Sequence, residues 1–183
     1  KIKSQTTTDK KIVAAVIDHS GTNVVFAEKA GEVFSKPIAD PEAKSTHLLG
    51  HISSLTDMAL SPSGNRLLTA DRDEKIRISY YPAAYEIDAY CLGHTELVTS
   101  MCVFQGDTAD EELIVSAGAD GTLRLWSVKD GVCLDSFEIS ENTALDKSKD
   151  EEVEDGKKKS WDHMAAGTAH ATAAVSGRMR TKC

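Results

Sequence analysis

The chain has 183 residues, of which 40% are hydrophobic, 27% charged and 5% aromatic, and its 29 acidic and 21 basic side chains leave a net charge of −8. That balance weighs against a protein that grips a phosphate backbone through its own clustered Lys and Arg, and no run approaches the roughly 20 apolar residues that span a bilayer as a helix. Residues 1–140 carry 13 basic and 21 acidic side chains and residues 141–183 carry 8 of each, so the acidic excess lies in the first part.

In chain order, residues 12–17, 24–27 and 33–38 read as short strands. Turn residues separate them at His19-Ser20-Gly21-Thr22-Asn23 and Lys29-Ala30-Gly31. Leu49-Gly50-His51 follows, then strands at 55–60 and 67–70 flanking Ser61-Pro62-Ser63-Gly64-Asn65. A charged stretch over 71–77 comes next and leads into a strand ending at Ser79. The Gly-His mark returns as Leu92-Gly93-His94, so His94 stands 43 residues after His51. A period of roughly 40–45 residues is that of propeller blades. Behind it come strands at 98–104 and 113–117, separated by the polar insertion Gly106-Asp107-Thr108-Ala109-Asp110. An Asp120-Gly121 hairpin, a strand at 123–128, a turn at Lys129-Asp130-Gly131 and a strand at 132–139 complete the unit.

No window has a 3.6-residue period. The expectation is therefore an all-β domain over 11–140, with a degraded blade at 12–38 that lacks the Gly-His mark and full blades at 47–90 and 91–140. Two full blades and a partial one do not close a ring of the usual 4–8 blades, so the propeller is expected to be incomplete, with open edges. Residues 141–160 hold 12 charged residues in 20, including Lys157-Lys158-Lys159, and read as a disordered linker. Residues 161–183 read as a low-complexity tail in which only a weak helix over 165–175 is conceivable. Cys91, Cys102 and Cys133 sit in apolar strand-like runs, in no C-x-x-C spacing, and are expected as buried free thiols rather than zinc ligands.

His94, Ser116 and Asp120 have the residue types of a hydrolase triad. His51, Thr69 and Asp73 repeat them at nearly the same spacing, and a catalytic triad is not duplicated from one unit to the next. A structural network that satisfies a half-buried imidazole, together with the Trp126 indole N–H, explains both sets. Ala117-Gly118-Ala119-Asp120-Gly121 opens no helix and is followed by no Lys-Ser or Lys-Thr, so it is not a phosphate loop. Nor is there a strand, Gly-rich turn and helix to hold S-adenosylmethionine. No catalytic, cofactor or metal residue is expected.

Gly93-His94 followed by Ser116-Ala117-Gly118-Ala119-Asp120-Gly121-Thr122-Leu123-Arg124-Leu125-Trp126 resembles a WD40 repeat. In that family the matching His, Ser or Thr, Asp and Trp tie a blade together. The run from Leu68 to Ser79, with Ala70-Asp71-Arg72-Asp73-Glu74-Lys75 and then Ser79 where the next unit has Trp126, is similar to the non-catalytic WD-repeat subunit of tRNA (guanine-N7) methyltransferase, as is Cys91-Leu92-Gly93-His94-Thr95-Glu96. The resemblance implies a non-catalytic scaffold in a heterodimer with the catalytic subunit. It implies tRNA reached through the complex, no membrane, and a location in the nucleus with the cytoplasm open as well. It also implies that the altered blade faces the partner. Alternation puts Lys75, Arg77 and Ser79 on one strand face. Lys75 and Arg77 are then expected to meet partner carboxylates, with Asp71, Arg72 and Glu74 in support, Arg holding a carboxylate bidentately. A solvated turn with local ion pairs is the alternative for this stretch, and a generic WD40 interaction module is the alternative for the chain.

Overall fold

The computed structural model describes residues 10–139, and the linker and tail read from the sequence at 141–160 and 161–183 lie outside them. The described residues form β1 (Ile12–Ile17), β2 (Asn23–Glu28), β3 (Glu32–Pro37) and β4 (Thr46–Gly50); β5 (Leu55–Leu60), β6 (Arg66–Asp71), β7 (Lys75–Tyr80) and β8 (Ile87–Leu92); and β9 (Val98–Gln105), β10 (Glu112–Gly118), β11 (Thr122–Ser127) and β12 (Cys133–Glu138). Each set of four is one antiparallel sheet whose strands lie in chain order. The domain is all-β.

Two boundaries differ from the sequence reading. The unit read as three strands over 12–38 is a complete blade, because β4 pairs with β3 through Val33 opposite Leu49 and Phe34 opposite His47. The Gly-His mark therefore falls after a blade's last strand rather than at its start. The repeat is offset by one strand from the sheet, and this is why counting from Gly-His cuts the blades in the wrong place.

The three sheets lie side by side, with their first strands β1, β5 and β9 adjacent. Two cores result. Val25, Ala27, Val33, Leu49, Leu55, Met58, Leu67 and Ala84 fill the joint between the first and second blades. Leu68, Ala70, Ile76, Ile78, Cys91, Val98, Ile114, Trp126 and Val128 fill the joint between the second and third. Alternation along β6 sends Leu67 into one joint and Leu68 and Ala70 into the other. A sheet covered on both faces needs apolar residues at consecutive positions, which is why β6 reads as a nearly unbroken apolar run. At about 25 cal/mol per Å² of apolar surface, each such aliphatic side chain contributes roughly 1.5–3 kcal/mol.

Polar groups also cross the joints. Asp57 accepts from Met58 N in its own strand and from Met101 N on β9, both at 2.8 Å. Glu112 accepts from Ser63 N at 2.6 Å, tying a turn of the second blade to the third. Each first strand carries one residue more than its partner, at Val13, Thr56 and Thr99. These bulges re-aim the start of every blade in the same way. Of the thiols, Cys91 is buried, whereas Cys102 and Cys133 are exposed. The expectation of three buried cysteines holds for Cys91 alone.

Candidate functional site

The third blade supplies the reference geometry. His94 follows β8, its Nδ1 2.9 Å from Asp120 Oδ2 and its Nε2 2.7 Å from Ser116 Oγ. The Trp126 indole N–H donates to the same hydroxyl at 2.8 Å. An indole can only donate, so Ser116 accepts from Trp126 and passes its own proton toward Nε2, while Nδ1–H donates to Asp120. Ser116 has no exposed surface. A nucleophile must reach its substrate, and this hydroxyl is spent inside the joint. Burial pushes the Asp120 carboxyl up, but hydrogen bonds from Thr95 N, His94 and Thr122 outweigh it and hold the group well below the carboxylate range.

The second blade departs from this at two places. His51 Nε2 lies 2.8 Å from Thr69 Oγ1, as the spacing implies, but Nδ1 lies 2.9 Å from Asp71 Oδ2, not from Asp73. Asp73 instead points outward, its side chain 57% exposed and 3.6 Å from Lys75 Nζ. Gly118 accounts for the exchange. It is the third-blade counterpart of Asp71, and a Cβ there would collide with the His94 ring and the Asp120 carboxylate. Asp120 thus reaches back across a glycine, whereas Asp71 places its own carboxylate in that space. The missing glycine at position 71 is the signal that residue counting overlooked. Asp71 is fully buried. Burial raises its carboxyl, and hydrogen bonds from His51 and from Lys75, at 3.1 Å, bring it below its ordinary value.

The second departure is Arg77, placed by the sequence reading among the groups that meet a partner. Its residue is only 8% exposed. Nε donates to Ser79 Oγ at 2.9 Å, Nη1 to Gly50 O at 3.3 Å and Nη2 to Ala84 O at 3.1 Å. Where Trp126 fills the joint of the third blade, the second has the fully buried Ser79 and Ala84, the latter carried on the loop between β7 and β8. The guanidinium bridges these to the last strand of the first blade. Burial lowers its proton affinity from the ordinary value, and every bond it makes is to a neutral acceptor. Asp71 and Arg77 are therefore internal.

Arg72, Glu74 and Lys75 remain at the surface, Arg72 and Glu74 exposed and Lys75 half-buried. They ride on a fixed platform. Arg72 N donates to Ser54 O at 3.1 Å, and His51 N to Gly31 O at 3.0 Å, so the β4–β5 loop and the β6–β7 hairpin are held together. Glu74 has φ 69°, in the left-handed region where the third blade uses Gly121 at φ 75°. For a residue with a Cβ this conformation costs about 1–2 kcal/mol. Strain of this kind persists where the surroundings over-determine it, and it gathers at functional surfaces.

Four-stranded blades joined face to face, with a His, a hydroxyl and an Asp knotting the second and the third, define a WD40 propeller array. Solved structures of the same architecture include that of U3-55K, with a TM-score of 0.64 and 18% identity over 74% of this chain and 42% of the other. The RRP9 WD40 repeats match with a TM-score of 0.62 and 18% identity over 73% and 40%. The chain belongs to the family of the tRNA methyltransferase TRM82 WD40 domain, which matches residues 36–177. It is 34% identical over 151 residues to the tRNA (guanine-N(7)-)-methyltransferase non-catalytic subunit of Dictyostelium discoideum, covering 73% of this chain and 32% of that protein. It is 41% identical over 122 residues to the same-named subunit of Mus musculus, covering 67% and 29%. With TRM82 of Eremothecium gossypii it shares 35% over 135 residues, covering 72% and 29%. The chain thus spans about 30% of the length of these curated relatives.

Proposed function

We propose that this chain is a non-catalytic scaffold that binds a catalytic tRNA (guanine-N7) methyltransferase subunit as a heterodimer, so that a guanine in tRNA is methylated at N7 by the partner. The carrying observation is the second blade. It has given up the tryptophan of its neighbour, and it presents Arg72, Glu74 and Lys75 from a strained hairpin locked to the adjacent loop. Family membership supports this choice of partner. The relatives are named non-catalytic subunits, and the buried Ser116 fits a protein that does no chemistry itself. The net charge of −8 leaves most of the tRNA-binding surface to the partner. A nuclear location is part of the same reading.

Co-expression of the chain with a catalytic tRNA (guanine-N7) methyltransferase subunit, affinity capture and an assay of methyl transfer to tRNA tests it. A complex is expected. Swapping Arg72→Glu together with Glu74→Lys, which preserves net charge, is expected to weaken it about tenfold or more with the circular dichroism spectrum unchanged. Absence of a complex, or methyl transfer by this chain alone, would overturn the scaffold reading. Full binding by the swapped variant would remove the hairpin from the interface.

A further inference from the structure

Two exposed apolar side chains border this hairpin. Ile52, directly after His51 in the β4–β5 loop, is 105% exposed, and Leu92, the last residue of β8, is 68% exposed. Lys75 is opposite Leu92 in the antiparallel pair of β7 and β8, so the two side chains stand on the same face. Lys75 Nζ also reaches Asp71, the residue that holds the His51 ring. Leu92 thus stands beside Lys75, and Ile52 follows the histidine that Lys75 braces through Asp71.

Single exposed aliphatic residues are ordinary. The comparison between blades makes these two unusual. The position after the histidine is Thr95 in the third blade, and the position opposite the hairpin's first strand residue is Glu138, which pairs with Thr122. Both are polar and exposed. Exposed apolar groups at this pair of positions occur in the blade that has lost its tryptophan and not in its intact neighbour. They are also held in place: the loop backbone on either side of Ile52 is hydrogen-bonded, His51 N to Gly31 O and Ser54 O from Arg72 N, and Leu92 lies in a paired strand. Aliphatic groups carried on a hydrogen-bonded backbone and ringed by charge suit the apolar centre and polar rim of an interface, with little backbone entropy lost on contact.

We infer that Ile52 and Leu92 are the apolar anchors of the partner interface, with Arg72, Glu74 and Lys75 as its charged rim. The inference rests on the scaffold reading above. The fitting surface on the catalytic subunit carries apolar side chains flanked by a carboxylate facing Arg72 and Lys75 and a cation facing Glu74.

Titration calorimetry of the 183-residue chain against the catalytic subunit, for the wild type and an Ile52→Ser, Leu92→Thr double variant, tests this. The variant is expected to bind at least about tenfold more weakly and with a less negative heat-capacity change, the mark of lost apolar burial, at an unaltered thermal midpoint. Wild-type affinity or an unaltered heat-capacity change in the variant would overturn the anchors. If the Arg72 and Glu74 swap abolishes binding and the double variant does not, the anchors fall and the scaffold reading stands. If the wild-type chain forms no complex, both fall.

Discussion

A buried carboxylate is stable only if its donors replace the water it has lost. Asp71, Asp120 and Asp18 all satisfy this. Asp18 accepts from Asn23, Ser20 and Thr22, and these bonds overcome burial to bring its carboxyl from 3.8 to about 2. The linkage follows in sign. A group whose folded value is depressed contributes stability above its unfolded value and loses it as pH falls through the folded one. For Asp18 that window runs from about 3.8 down to about 2. Asp71 behaves in the same direction. Asp71→Asn is therefore expected to destabilise the fold by about 1–3 kcal/mol near neutral pH, with the difference from wild type shrinking as both are acidified below the carboxylate range. Asp73→Asn, on the exposed side of the same hairpin, is expected to stay within about 0.5 kcal/mol. Urea titrations across pH measure both. Equal effects from the two would return Asp73 to the His51 network. Equal spacing from Thr69 and Ser116 pointed to Asp73, and a count of residues cannot see that Asp120 needs a Cβ-free neighbour while Asp71 does not.

At the level of elements, the hairpin between β6 and β7 and the loop between β7 and β8 act together. The hairpin's inner residue Arg77 holds the loop by Ala84 O, and the loop fills the joint. Replacing Arg77 by Glu would bury a carboxylate against three carbonyl or hydroxyl oxygens in place of the donors they need. A loss of about 3 kcal/mol or more is expected, read as a lowered thermal midpoint and a weakened near-ultraviolet signal. An unchanged midpoint would show that the guanidinium does not close the joint. Arg77 thus acts on any partner through the fold, and a loss of binding on its substitution would not report a direct contact. Strand positions were legible because short apolar runs bounded by turn residues recur in every blade. The role of Arg77 was not, because alternation gives the face of a side chain and not what covers that face.

Across the whole array, most of the architecture was written in repetition: the recurring Gly-His, the hydroxyl and the hairpin. What repetition could not convey were the shared features that carry no residue signature, such as the extra residue in each first strand at Val13, Thr56 and Thr99, and the joints, which belong to two blades at once. The loop bearing Ala84 has a further consequence. Repeat proteins are commonly improved by moving each unit toward its consensus, and Ser79→Trp would be the obvious repair. Here an indole would enter space already taken by Ala84 and by the Arg77 guanidinium. The substitution is expected to destabilise the chain by about 1–3 kcal/mol through overpacking, and a raised melting temperature would contradict it. The second blade is consequently not an interchangeable module. Its sequence is tuned to one neighbour, so chimaeras that exchange β6–β8 for β10–β12 would inherit a tryptophan with nowhere to go.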